Sequence, residues 1–338
     1  MRFHVSNQIQ YKIEGPTTLI LNVHALRTPS QSIISEHFQL DPILKYEEFV
    51  SASGENRFVR LETGDAKALR VSYNAEVDVN CHVFPHSNLG VSPVSQMHRN
   101  VIPFLFPSRY CQSDRLYRLA FDKFGAIPTP YEKVVAITDW INSNVEYTLG
   151  STDSGTSAFD TVTQRQGVCR DFAHLGIALC RALTIPARYF SGYAYQLQPP
   201  DFHACFEAYI GGQWLFFDAT RLAPLNGLVR IGTGRDAADT AIGTIFGRMK
   251  LETISVQCTL APGEENNFKP VTREDQNLNA VSLDTLATPP PPQNQVNQGQ
   301  NNNQNQNNQA PAPNPNNNGG APASNAPNSA PVQEPVSV

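Results

Sequence analysis

The chain has 338 residues, 40% of them hydrophobic and 16% charged, and a formal net charge of −5. That length leaves room for roughly two domains of the usual 100 to 200 residues. A mildly acidic balance without clustered Lys and Arg offers no electrostatic footprint for a nucleic acid or an anionic membrane, so neither is an expected partner. The opening residues 1–15 lack the basic start and apolar stretch of a secretory signal, and no segment approaches the roughly 18 consecutive apolar residues of a membrane span. Both features point to the cytoplasm. The six cysteines (Cys81, Cys111, Cys169, Cys180, Cys205 and Cys258) lie far apart with no C-x-x-C pair. Free thiols are expected, rather than a zinc ribbon or a dithiol redox motif.

Residues 1–105 read as strands. YKIEG, TTLILNVHALR, SIISEHFQLD, NRFVRLET and ALRVSYNAEVDV are short alternating or β-branched runs separated by Gly, Pro, Asn and Ser turns, with SGEN at 53–56 as a hairpin loop. This predicts an N-terminal antiparallel β-sandwich. Pro85 to Pro107 is irregular and rich in proline, marking a boundary to a second domain over 106–265.

There the period becomes helical. Ser113 caps a helix through Phe124, which Gly125 ends; Thr129 caps a second with Pro130 at its first position, and Val134, Ile137, Trp140, Ile141 and Val145 share one stripe. A third helix starts near Ser157, and a fourth runs from about Cys169 to Leu183 before Pro186. Strands follow at Ala187–Leu197, Phe202–Ile210, Gln213–Asp218 and about 248–260. Helices first and an antiparallel sheet after them make an α+β domain. Residues 266–287 read as a linker. From Thr288 onward the only charged residue is Glu334 and the only large apolar residues are four valines. Such a segment cannot bury enough surface to offset its ordering entropy, so 288–338 is expected to be a disordered Asn/Gln/Pro-rich tail.

The chemistry concentrates in RQGVCRDFAHLGIALCRAL. Gly167 closes one helical pattern and the next opens at Cys169, so the thiol sits where unpaired N–H groups and the helix dipole favour a thiolate. Arg170 adds positive charge nearby. His174 lies about 140° further round the helix and points away, and Asp171 reads as a first-turn carboxylate. His203 is better placed. FHACFEAYI-GG-QWLFFDAT reads as a hairpin turning at Gly211-Gly212, with Tyr209 opposite Trp214, Glu207 opposite Phe216 and Cys205 opposite Asp218. His203 and Asp218 then share a face on a diagonal, roughly 7–8 Å between backbones. A cysteine, a base and an orienting carboxylate are what thiol acyl transfer requires. Trp214, Tyr209 and Phe216 share that face and fit either a cleft or the core. For the oxyanion, the Cys169 backbone N–H is the natural first donor, with Gln164 and Gln166 as candidates for the second.

The run GVCRDFAHLGIALCRALTIPARYFSGY, then HACFEAYIGGQWLFFDAT and GRDAAD, resembles the bacterial transglutaminase-like family over about residues 110–260, and the strand-rich first part resembles the β-domain that often precedes it. The resemblance implies a papain-like α+β fold and a triad of Cys169, His203 and Asp218. It also implies acyl transfer through a Cys169 thioester on a carboxamide or peptide bond, with a protein or peptide substrate and water or a small amine as acceptor. Neither a cofactor nor a resident metal is expected. The alternatives are a protease or amidase rather than a cross-linking transferase, a non-catalytic binding protein on the same fold, and a metal site made from Cys169, His203, Cys205 and Asp218.

Overall fold

The computed structural model describes residues 1–51 and 56–284 and the backbone of 334–336. The SGEN loop, apart from Asn56, and the tail, apart from that short backbone stretch, lie outside the described residues. The elements run β1 (Arg2–Ile13), β2 (Thr18–Leu21), β3 (Gln31–Asp41), β4 (Tyr46–Val50), β5 (Arg57–Glu62), β6 (Ala68–Val79), β7 (His82–Pro85), α1 (Ser113–Phe124), α2 (Pro130–Asn144), β8 (Glu146–Tyr147), α3 (Ala158–Gln164), β9 (Gln166–Gly167) and α4 (Cys169–Ala182). They continue through β10 (Ala187–Ala194), β11 (Phe202–Ile210), β12 (Gln213–Phe217), β13 (Leu228–Gly234), β14 (Gly243–Phe246), β15 (Met249–Leu260), β16 (Asn279–Ser282) and β17 (Glu334–Val336).

The α+β reading holds. The N-terminal part is two antiparallel sheets, β15-β1-β6-β3 and β17-β14-β2-β5-β4, and the helices pack on a third, β12-β11-β10-β13. Alternation explains the first sheet: Phe3, Val5, Ile9, Tyr11 and Ile13 of β1 all point inward. Asn7 stands in that inward series because it reaches across to donate to the Tyr193 hydroxyl at 2.7 Å.

The helices begin where short-range chemistry requires. Thr129 and Glu132 form a reciprocal capping box at α2. The Ser157 hydroxyl and backbone N–H both reach Asp160 at α3. Ser113 is the first residue of α1 rather than its cap, and Gln112 precedes it without a side-chain cap.

Two expectations are corrected. The strand at 249–260 does not extend the catalytic sheet; it pairs with β1 from Phe3↔Leu260 to Ile13↔Met249. The two strands match at twelve residues each, so β15 covers one whole edge of β1. Part of the expected linker is also packed. Residues 279–282 pair with β7, the Gln276 amide donates to the Phe216 carbonyl at 2.9 Å, and Ala280, Val281 and Leu283 are buried.

The catalytic sheet therefore has two covers. Ala204, Phe206, Ala208 and Ile210 face the helical core, while Phe190, Tyr193, Cys205 and Phe216 join the core of the N-terminal sheets. Its outer strand β13 is closed by side-chain amides. Gln31 donates to the Arg230 carbonyl (2.9 Å) and accepts from its N–H (2.7 Å), and Asn56 does the same at Thr233 (2.8 and 2.9 Å). Two amides, together with the Leu26 N–H at the Arg230 carbonyl (2.9 Å), thus satisfy backbone on the outer edge of the sheet.

His24 is buried between Phe38 and Tyr73, with ring centroids 4.9 and 4.8 Å away. Burial, helped by Arg57, lowers its pKa to about 4. A depressed folded pKa contributes stability above the unfolded value of about 6.5 that is lost as pH falls toward 4. We predict a loss of about 3 kcal/mol across that window. Chemical denaturation at pH 7 and pH 4.5 should show a shallower decline for His24→Gln, and equal slopes would disprove it.

Candidate active site

α4 carries the thiol. All fourteen of its residues are buried, as expected of a helix enclosed on every side. Asp171 secures its start by accepting the Val168 N–H at 2.9 Å. Arg170 grips Asp171 at 3.2 and 3.0 Å and donates to the Asp153 carbonyl at 2.6 Å. Asp171 is thus the first-turn carboxylate expected of it. The Arg170 charge is spent on Asp171 and on anchoring the 148–156 loop rather than left beside Cys169.

The hairpin carries the base and its partner. β11 and β12 pair in the register read from the sequence, from Ile210↔Gln213 to Phe206↔Phe217, around Gly211 and Gly212 at φ 61° and 84°. Such positive values favour glycine in a two-residue turn. Asp218 is the next residue after β12. The His203 Nε2–H donates to Asp218 Oδ2 at 2.9 Å, and the other carboxylate oxygen accepts from the Thr220 N–H (2.8 Å) and hydroxyl (2.7 Å).

The Cys169 thiol lies near enough to the imidazole to act on it electrostatically, and the buried Nδ1 has no hydrogen-bond partner. Cys169, His203 and Asp218, brought from three elements, are thus together and at most 4% exposed. Burial alone would push the imidazole down. Cys205, the charge and hydrogen bond of Asp218, and the nearby Cys169 outweigh it and hold His203 well above its usual range. Burial likewise works to raise Asp218, but His203 and Thr220 prevail and lower it. The pair is therefore poised to hold an imidazolium against a carboxylate.

His174 is elsewhere. Its ring stacks on Tyr110 at 4.9 Å and 6° and its Nε2 accepts the Ala237 N–H at 3.1 Å. Burial, with Arg170 and Arg181, holds it neutral. The GRDAAD loop is structural in the same region: Asp236 accepts the Tyr110 N–H at 2.8 Å, and the Arg235 carbonyl accepts from Arg181 at 2.6 Å. Phe216 is core, at 5.0 Å from Phe190. Trp214 is packed under Phe104 (5.2 Å) and Arg188 (4.3 Å).

Gln164 is exposed, and Gln166 lies in β9. The group that does reach the nucleophile is one the sequence did not single out. β8 pairs with β9 in parallel, Tyr147 opposite Gly167, and this brings Tyr147 near Cys169 and His203. Burial first, then Cys169, raise the Tyr147 pKa, so the hydroxyl keeps its proton. Its only sequence signal is an aromatic residue just past the end of α2. Cys205 also closes on the site: its thiol, His203 and Asp218 offer ligand atoms within 4.8 Å of one another.

Two family models match the chain, the bacterial transglutaminase N-terminal domain over residues 1–99 and the transglutaminase-like superfamily over 118–219. A crystal structure of a proposed cysteine protease from Cytophaga hutchinsonii is 55% identical, with a TM-score of 0.80, covering 83% of this chain and 97% of that one. The chain belongs to the bacterial transglutaminase-like family. Curated relatives of that kind include an uncharacterized protein of Mycobacterium leprae, 33% identical over 120 residues (33% of this chain, 43% of the relative), and one of Mycobacterium tuberculosis, 32% identical over 142 residues (37% and 45%). The chain spans less than half the length of these relatives. Among the described residues no helix is long and apolar enough to cross a membrane.

The approach of thiol to base depends on Gly176, where an added Cβ would lie 2.5 Å from the Phe206 ring. Phe206 is fully buried and stacked on Phe217 at 5.8 Å, leaving it nowhere to move. Alanine would return about 1 kcal/mol of helix propensity, but overpacking costs about 1–3 kcal/mol. We predict that Gly176→Ala lowers the melting temperature and slows Cys169 alkylation together. An unchanged melt would contradict this reading.

Proposed function

We propose that the chain is a thiol enzyme that opens a carboxamide or peptide bond through a thioester on Cys169. The observation that carries this is the His203 imidazole, held by Asp218 at 2.9 Å on one nitrogen and lying near the Cys169 thiol. His203 takes the thiol proton at Nδ1 while its Nε2–H remains on Asp218, which fixes the tautomer and stabilises the imidazolium. The thiolate adds to the carbonyl carbon. The developing oxyanion is received by the Cys169 N–H and by the nearby Tyr147 hydroxyl. His203 then returns the proton to the leaving amine, and water or a second amine, deprotonated by His203, releases the acyl group.

Hydrolysis of a protein or peptide substrate is the outcome we favour over amine transfer. Its support is the 55% identical Cytophaga hutchinsonii protein described as a proposed cysteine protease. The intact Cys169, His203 and Asp218 argue against a purely scaffolding role.

Screening peptide amides and protein substrates for released ammonia or new amino termini tests the proposal, with labelled amines supplied in competition. Cys169→Ala should abolish all turnover with an unchanged melt. Asp218→Asn should reduce kcat by about 10²- to 10⁴-fold by favouring the wrong tautomer. Full activity in either variant would refute the assignment. Tyr147→Phe should lower kcat by about 10²-fold with little change in KM, as loss of one oxyanion donor does, while iodoacetamide labelling of Cys169 continues. If instead KM rises and kcat holds, Tyr147 contacts substrate without serving the oxyanion.

A further inference from the structure

The Asp218 carboxylate has two oxygens, and one of them must be turned to His203. A carboxylate rotates in a broad, two-fold well about its last bond, so its place at the end of β12 does not by itself decide how it meets the imidazole. The decision is made two residues on. Oδ1 accepts the Thr220 N–H at 2.8 Å, closing an Asx turn, and also the Thr220 hydroxyl at 2.7 Å. That leaves Oδ2 for the His203 Nε2–H at 2.9 Å. The hydroxyl is aimed in its turn. Its oxygen accepts the Leu222 N–H at 3.3 Å, and its single proton goes to Asp218.

The turn that brings Leu222 back is a costly one for this sequence. Arg221 adopts φ 60°, in the left-handed region where glycine is the usual residue. Helix α2 holds the turn from two positions. Its Asp139 accepts from Arg221 at 2.5 Å and from Arg273 at 2.7 Å. Its Asn142 amide donates to the carbonyls of Ala219 at 2.9 Å and Thr220 at 3.4 Å. Thr220 and Asp218 are both buried, where a hydrogen bond left unmade is expensive.

We propose that Thr220 is a positioning residue of the acyl transfer: its hydroxyl and N–H fix the Asp218 carboxylate so that Oδ2 meets His203 and holds the imidazole with Nδ1 free to take the Cys169 proton. This deepens the function proposed above and rests on the Cys169, His203 and Asp218 assignment. Thr220 acts only through Asp218. When the proton passes from the Cys169 sulfur to His203 Nδ1, the Nε2–H stays on Asp218, and no bond between Thr220 and Asp218 is made or broken. What the hydroxyl supplies is a charge-assisted hydrogen bond that favours the ionised carboxylate, the form that an imidazolium beside it needs.

Thr220→Val removes the hydroxyl and keeps the N–H and the shape of the side chain. It should lower kcat by about tenfold or more, the size of one hydrogen bond to a charged group, with KM on the same substrate unchanged. Thr220→Ala, which loses the hydroxyl with less bulk, should behave alike, and Thr220→Ser should recover most of the rate. Near-UV circular dichroism checks that each variant is folded. In the full-length protein labelled with nitrogen-15 histidine, the His203 Nε2 proton should give a far-downfield resonance, assigned by its loss in His203→Gln. That resonance should move upfield in Thr220→Val and Thr220→Ala and stay in place in Thr220→Ser. Wild-type kcat or an unmoved resonance in the folded Val and Ala variants would overturn the proposal, and inert Cys169→Ala would leave the nucleophile assignment standing. A raised KM with kcat unchanged would overturn it too, placing Thr220 in substrate binding, as would a Ser variant as slow as Val. If the wild type turns over no amide or peptide, a resonance that follows the Thr220 hydroxyl keeps its hold on Asp218 and His203 and rejects the catalytic reading.

Discussion

The distance between α4 and β11 is the constraint on which the rest of the structure depends. Cys169 is the first residue of the one and His203 is near the start of the other, and no local interaction holds them together. What does is the packing of a wholly buried helix against a sheet, with Gly176 omitting the one methyl group that would hold Phe206 away. Interiors are packed as densely as organic crystals, so the thiol and imidazole meet in one arrangement rather than over a range of separations. Both members of the His203–Asp218 pair are buried, a setting in which a hydrogen bond between charged groups is strong.

The other face of the sheet is held with comparable care. Glu207, on the same strand as His203, accepts from Arg188 and Arg230 at 2.6 Å each, and both arginines also reach Asp284 at 2.6 and 3.2 Å. Two cations and two anions balance within this network. A buried network of this kind is weak evidence for net stability, because removing the charges from water costs about as much as their attraction returns. What it does fix is direction. Asp284 ties the segment after β16 to the strands that carry the base, and the Arg188 guanidinium lies over Trp214 at 4.3 Å.

Features encoded within a few residues were legible in the sequence. The Thr129 and Ser157 helix starts follow from side chains that satisfy their own neighbours, and the Gly211-Gly212 turn set the register that brought His203 and Asp218 onto one face. Pairings across long separations were not. Met249–Leu260 alternates well enough to be a strand, but nothing in it says which edge it joins; the matched length and position of β1 decide that. β4 is mostly exposed, so it lacks an inward apolar series. Tyr147 was invisible for the same reason as β15: a two-residue parallel pair with β9 places it, and two residues have no period to detect. Cys205 was read beside His203 at the strand period, but whether its thiol pointed toward the base depended on the end of the hairpin, one step past the Phe206–Phe217 pair.

The β1–β15 ladder joins the third residue of the chain to residue 260. The first sheet therefore cannot be completed until the chain has reached residue 260. During synthesis β1 and β6 can pair early, since only a few dozen residues separate them, but the far edge of β1 stays open while the helices and catalytic strands emerge. Contacts of such long sequence separation are slow to form because the entropy of closing the loop comes before any reward, and an unpaired strand edge is where a nascent chain is most exposed to wrong partners. Order of assembly and order of activity would then coincide: the element that seals the N-terminal lobe follows every strand of the catalytic sheet.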